Sequence, residues 1–68
     1  MKIFINEQEI EIFDGANVES SVRLFDKSAL SKIKKGKLEV VDQYGNHVDI
    51  SGELHENSQI FIVKISNK

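Results

Sequence analysis

The sequence predicts one α+β domain, a mixed sheet of four to five strands carrying one main helix in the order ββαββ. Three observations predict it. Apolar residues alternate with period two at both ends of the 68-residue chain, they recur at helical spacing in the middle, and glycines punctuate the boundaries. Nine Ile and six Val are present, and twelve of these fifteen lie outside the helical stretch, where β-branched side chains fit a pleated surface.

Residues 2–13 read as a hairpin. Ile3 and Ile5 alternate with Lys2 and Phe4, Ile10 and Ile12 alternate with Glu9 and Glu11, and the turn falls near Asn6, Glu7 and Gln8. Asp14-Gly15 ends the second strand, and Asn17 then offers a side-chain oxygen to the free N–H groups of a helix. Val18, Val22, Phe25, Ala29 and Ile33 are spaced by 4, 3, 4 and 4, which sets them on one helix face with Leu30 beside them. Glu19, Arg23, Asp26, Lys27 and Lys34 take the opposite face. A helix over 18–35 would be about 27 Å long. That is long for so small a domain, and a break would fall at 26–28. Lys32, Lys34 and Lys35 suit the negative end of the helix dipole, and Gly36 is placed for a left-handed stop.

Residues 38–42 return to strand character, Tyr44-Gly45-Asn46 is a turn, and 47–50 read as a second short strand ended by Ser51-Gly52. Leu54 is an isolated apolar anchor in a polar loop. Residues 59–65 are the most apolar segment, with large side chains on both faces, so this strand belongs in the middle of the sheet. A central last strand beside a parallel first strand, under one crossing helix, is the β-grasp arrangement, and the right-handed crossover rule allows it.

With those elements in place, two stretches resemble a known family. The opening MKIFINEQEIEIFDGANV is similar to that of the ThiS and MoaD sulfur carriers, which are ubiquitin-like: a hairpin ending in acidic-Gly-Ala, then a capped helix. GELHENSQIFIV resembles their closing signature, a Gly and a Leu before a turn and then a strand of alternating Ile. The resemblance implies a β-grasp fold and a place in thiamin or molybdopterin biosynthesis. It also implies a carboxy-terminal Gly-Gly whose carboxylate is adenylated and converted to a thiocarboxylate. At that point this sequence reads Ile65-Ser66-Asn67-Lys68, so the glycine pair has no counterpart. Two expectations stand. One is a ThiS/MoaD-like protein-binding module without chemistry of its own, associated with a ThiF/MoeB-like adenylating enzyme of sulfur transfer or with a second copy of itself. The other is a sulfur carrier whose Gly-Gly tail is absent or truncated here.

Composition narrows the remaining classes. A chain this short buries only about 60% of its unfolded surface, so nearly every large apolar side chain is needed in the core. No apolar run approaches the roughly 20 residues that span a bilayer. Met1 leads straight into charged strand sequence, so no secretory signal is read and a cytoplasmic location is expected. Without Cys there are no disulfides, thiolate nucleophiles or cysteine zinc sites. Nine basic against eleven acidic residues give a net charge of −2, which offers no global case for nucleic acid or an anionic membrane as partner.

The polar residues add no catalytic pattern. His47, Asp49, Glu53 and His55 match no defined metal-ligand spacing and read as a solvated face. No serine sits in a strand-turn-helix elbow, and the isolated glycines make no phosphate loop. No catalytic, cofactor or metal residue is assigned, and an enzyme is not expected. Lys32, Lys34, Lys35 and Lys37 read first as helix-end charges and second as a patch for an acidic partner or RNA, although no aromatic interleaves them.

The outward sheet face is the expected site. If Ile3, Ile5, Ile60 and Ile62 face the helix, alternation sends Phe4, Phe61, Val63 and Ile65 to the other side, where a single helical layer leaves them uncovered. Two Phe on adjacent strands can pair and shield each other, which is the plain structural reason for them. A contiguous exposed apolar area otherwise marks a protein-binding or homodimer surface.

Overall fold

Alternation folds as read at the amino-terminal end. In the computed structural model, which describes residues 1–65, β1 (Lys2–Ile5) and β2 (Gln8–Glu11) pair antiparallel with Ile3 opposite Ile10 and Phe4 opposite Glu9. Asn6 and Glu7 make the turn at φ of 52° and 69°, the left-handed conformation whose twist matches the flanking strands.

The helical stretch departs from the expected single main helix. It forms two, α1 (Val18–Phe25) and α2 (Lys27–Lys34), separated by Asp26 in an extended conformation at φ −167°, ψ 104°. Asp26 serves both ends. Its N–H donates to the Val22 carbonyl at 2.7 Å and closes α1, while its carboxylate accepts from the Ser28 N–H at 3.0 Å and opens α2. Replacing Asp26 by Ala removes that cap and is expected to cost about 1 kcal/mol in urea unfolding, with Asp26→Asn retaining most of it. At the other end of α1, the Ser20 N–H donates to Asn17 Oδ1 at 2.9 Å, and the Val18 and Glu19 N–H groups donate to the Gly52 and Ile50 carbonyls. Gly36 ends the helical segment at φ 81°, and the Lys37 N–H donates back to the Lys32 carbonyl at 2.9 Å.

β3 (Leu38–Asp42) pairs antiparallel with β4 (Gln59–Lys64), and β4 runs parallel to β1, giving a four-stranded mixed sheet in the order β2-β1-β4-β3. The most apolar strand is therefore internal. The expected short strand at 47–50 does not form. Its contact with β3 is a single bridge between His47 and Val41, with the Val48 N–H donating to the Val40 carbonyl at 2.8 Å. The chain then turns away, because the Ile50 and Gly52 carbonyls meet the start of α1. Val48 and Ile50 still pack against the core, and Leu54 is buried as an anchor.

The turn after β3 is held by one side chain. Asp42 Oδ1 accepts from the N–H groups of Asn46 and Tyr44, both at 2.9 Å. The backbone hydrogen bond from Asn46 is the main reason that the Asp42 carboxyl titrates below its usual value, with Tyr44 adding to it and desolvation opposing it. A depressed pKa in the folded state contributes stability that is present above the unfolded value of 3.8 and is lost as pH falls through the lower folded value. Acid titration of the urea midpoint should show this loss below about pH 4, and Asp42→Asn should flatten that part of the profile.

The core draws on one sheet face and both helices. Ile3, Ile5, Val40 and Ile60 meet Val18, Val22, Ala29 and Leu30, with Ile12, Ala16 and Leu54 closing the ends. Ser21 is the buried polar residue, and its hydroxyl donates to the Val18 carbonyl at 2.8 Å. No helix among the described residues is long and apolar enough to cross a membrane.

Candidate protein-binding face

Strand register decides what lies opposite the core. Ile5 pairs with Ile60 and Val40 with Ile62 on the helix side, so Phe4, Phe61, Val63, Val41 and Glu39 point the other way. The buried apolar side chains of both helices, Val18, Val22, Ala29 and Leu30, pack into the cluster on the core face, so no helix among the described residues covers this second face. Its middle is apolar. Phe4, Phe61 and Val41 are half-buried and Val63 is 37% exposed.

The two phenylalanines are not direct cross-strand partners. Phe4 lies opposite Glu9 on one side and Gln59 on the other, whereas Phe61 lies opposite Val41, so the Phe pair is offset by one residue pair along the same face. Such diagonal neighbours stand about 7–8 Å apart, within reach of aromatic rings. Phe61 and Val63 continue the apolar strip toward β3, where Val63 lies opposite Glu39. Lys2, Glu9 and Glu11 edge the strip on the β1 and β2 side, and Gln59 and Glu39 border it on β4 and β3.

Ile65 does not extend that strip. β4 ends at Lys64, and the Ile65 N–H turns to the Lys37 carbonyl at 3.4 Å. Ile65 is 38% exposed and lines a cleft with Ile33, Leu38, Val48 and Ile50, residues that pack on the core side. The alternation that assigned it to the Phe61 face stops with the strand. Ser66, Asn67 and Lys68, where the sulfur-carrier resemblance would look for glycines, lie outside the described residues.

The polar cluster noted in the sequence is spread out. His47 Nδ1 lies 3.3 Å from Glu39 Oε1 at the β3 edge, while Glu53 makes a bridge with Asn17 beside α1. No group of three or more His, Asp or Glu side chains able to hold a metal ion occurs among the described residues.

Sequence reasoning missed one surface. Phe13 and Leu24 are 63% and 60% exposed, and they line one hollow with Arg23 and Lys27. Leu24 falls off the apolar stripe of α1, and Phe13 follows the inward Ile12, so helical and strand periodicity both mark them as outward. The signal lay in large apolar residues at outward positions of a chain with few to spare. Comparisons with protein-family models, curated proteins and solved structures give no significant match.

Proposed function

We propose that the chain is a β-grasp domain of the ThiS/MoaD type that binds a protein through the open face of its sheet and performs no chemistry of its own. The observation that carries this reading is the apolar strip of Phe4, Phe61, Val41 and Val63, which faces away from the core cluster. A chain of 68 residues that sets two of its four phenylalanines on that face forgoes core burial there, and an uncovered apolar area of this kind is what a partner desolvates. The internal position of β4 parallel to β1 supports the β-grasp assignment. The resemblance at the two ends of the sequence points to a ThiF/MoeB-like adenylating enzyme as the partner. The sulfur-carrier alternative would place its chemistry beyond Ile65, outside the described residues.

Titrating the isotope-labelled chain with such an enzyme tests the reading. Amide shifts are expected to move at Phe4, Val41, Phe61 and Val63. Shifts confined to the helices, or no shifts and no self-association of the chain alone, would overturn it.

A further inference from the structure

Charge is distributed unevenly in this chain. Residues 18–37 hold six cations against two carboxylates, leaving +4, whereas the other residues hold three cations against nine carboxylates, leaving −6. The helical layer is thus a positive surface on a weakly acidic protein. Folding gathers part of it around a groove. Arg23, Lys27, Lys34 and Lys35 line it around Leu30, a core residue only 6% exposed. Arg23 and Lys27 also border the adjoining hollow that contains Phe13 and Leu24, in which Glu11 is the acidic lining residue. The two hollows share Arg23 and Lys27, so together they make a track with a basic half and an apolar half.

We propose that this track is a second docking surface, separate from the sheet face, for an acidic protein segment that carries a large apolar side chain. Charge complementarity selects the acid, and the hollow between Phe13 and Leu24 takes the apolar group. Its geometry disfavours RNA. The aliphatic Leu24 and Leu30 lie among the cations, and the aromatic that lines the track, Phe13, stands at the apolar end, where it offers one ring and no stacking series. Glu19 tunes the track. Its carboxylate bridges Arg23 at 2.9 Å and Lys34 at 3.0 Å, which joins α1 to α2 and offsets part of the positive charge. The hydrogen bond from Lys34 is the main cause that holds the Glu19 carboxyl below its usual titration range. Among the described residues, Lys27 and Lys35 make no ion pair.

The test is fluorescence anisotropy with a labelled short peptide of alternating Asp and Leu, on the whole chain and on exposed-site variants whose folding is confirmed by circular dichroism. The peptide should bind at low salt and weaken as salt rises. Lys27→Glu and Leu24→Ser should each weaken it about tenfold. Glu19→Gln should strengthen it about threefold by releasing Arg23 and Lys34. Phe61→Asp should leave it unchanged, which separates this surface from the sheet face. The proposal is overturned if the peptide does not bind, if an Asp and Ser peptide binds equally well, or if Leu24→Ser has no effect. It is also overturned if an oligouridylate or phosphatidylserine vesicles displace the peptide, or if sedimentation shows a dimer that Lys27→Glu dissolves.

Discussion

Ile5→Ala is expected to unfold a large fraction of the chain at room temperature. Ile5 is fully buried on the inner face of β1, an internal strand held by β2 on one side and β4 on the other. Deleting that much side chain from a packed site costs about 2–5 kcal/mol, because the cavity term adds to the lost transfer free energy. A single core in a domain of this size rarely supplies more than about 3–5 kcal/mol, so the loss is comparable with the whole margin. Urea unfolding followed by circular dichroism reads the effect, and Ile5→Val should cost only about 1 kcal/mol on the same scale. An Ile5→Ala midpoint close to that of the parent would mean that β1 is not an internal strand.

Phe61→Asp should leave the fold standing and remove the proposed sheet-face interaction. Phe61 is half-buried and lies on the sheet face opposite the core cluster, so the stability change should stay near 1 kcal/mol, the span of strand propensities. Binding is different. A central aromatic anchor is worth about 2–3 kcal/mol when truncated, and an Asp there would also be desolvated by the partner, so affinity should fall roughly a hundredfold. Calorimetric titration with the proposed partner, a ThiF/MoeB-like adenylating enzyme, measures it. Leu24→Ser, on the helical side, should bind as the parent does. Equal affinity for Phe61→Asp and the parent would exclude the face.

Much of the sheet could be read in advance because its cause is local. Alternation of Ile3 and Ile5 with Phe4 fixes which face is buried, and apolar groups on both sides of β4 make it internal. Asn17 and Gly36 bound the helical segment for equally local reasons, an acceptor for free N–H groups and a residue that tolerates positive φ. The break in the helix was only half legible. The apolar stripe of Val22, Phe25, Ala29 and Ile33 runs on through Asp26, so periodicity does not register it. What separates the helices is the pull of the Asp26 carboxylate on the Ser28 N–H, a side-chain contact with no periodic signature. The strand expected at 47–50 failed for a tertiary reason. The Ile50 carbonyl accepts from the Glu19 N–H at the start of α1, and that requirement comes from a segment about 30 positions earlier, beyond any local pattern. Ile65 left the candidate face for a related reason, since alternation holds only while the strand lasts.

One measurement bears on the open sheet face most directly. A soluble gadolinium probe broadens the resonances of side chains that solvent can reach, and it can be added to the free chain alone and in the presence of the proposed adenylating partner. Phe4, Phe61 and Val63 should broaden in the free chain and be protected in the complex, while Leu24 and Phe13 should broaden in both. Protection of Phe4 and Phe61 in the free monomer, or protection in the complex that falls only on the helical layer, would contradict the account.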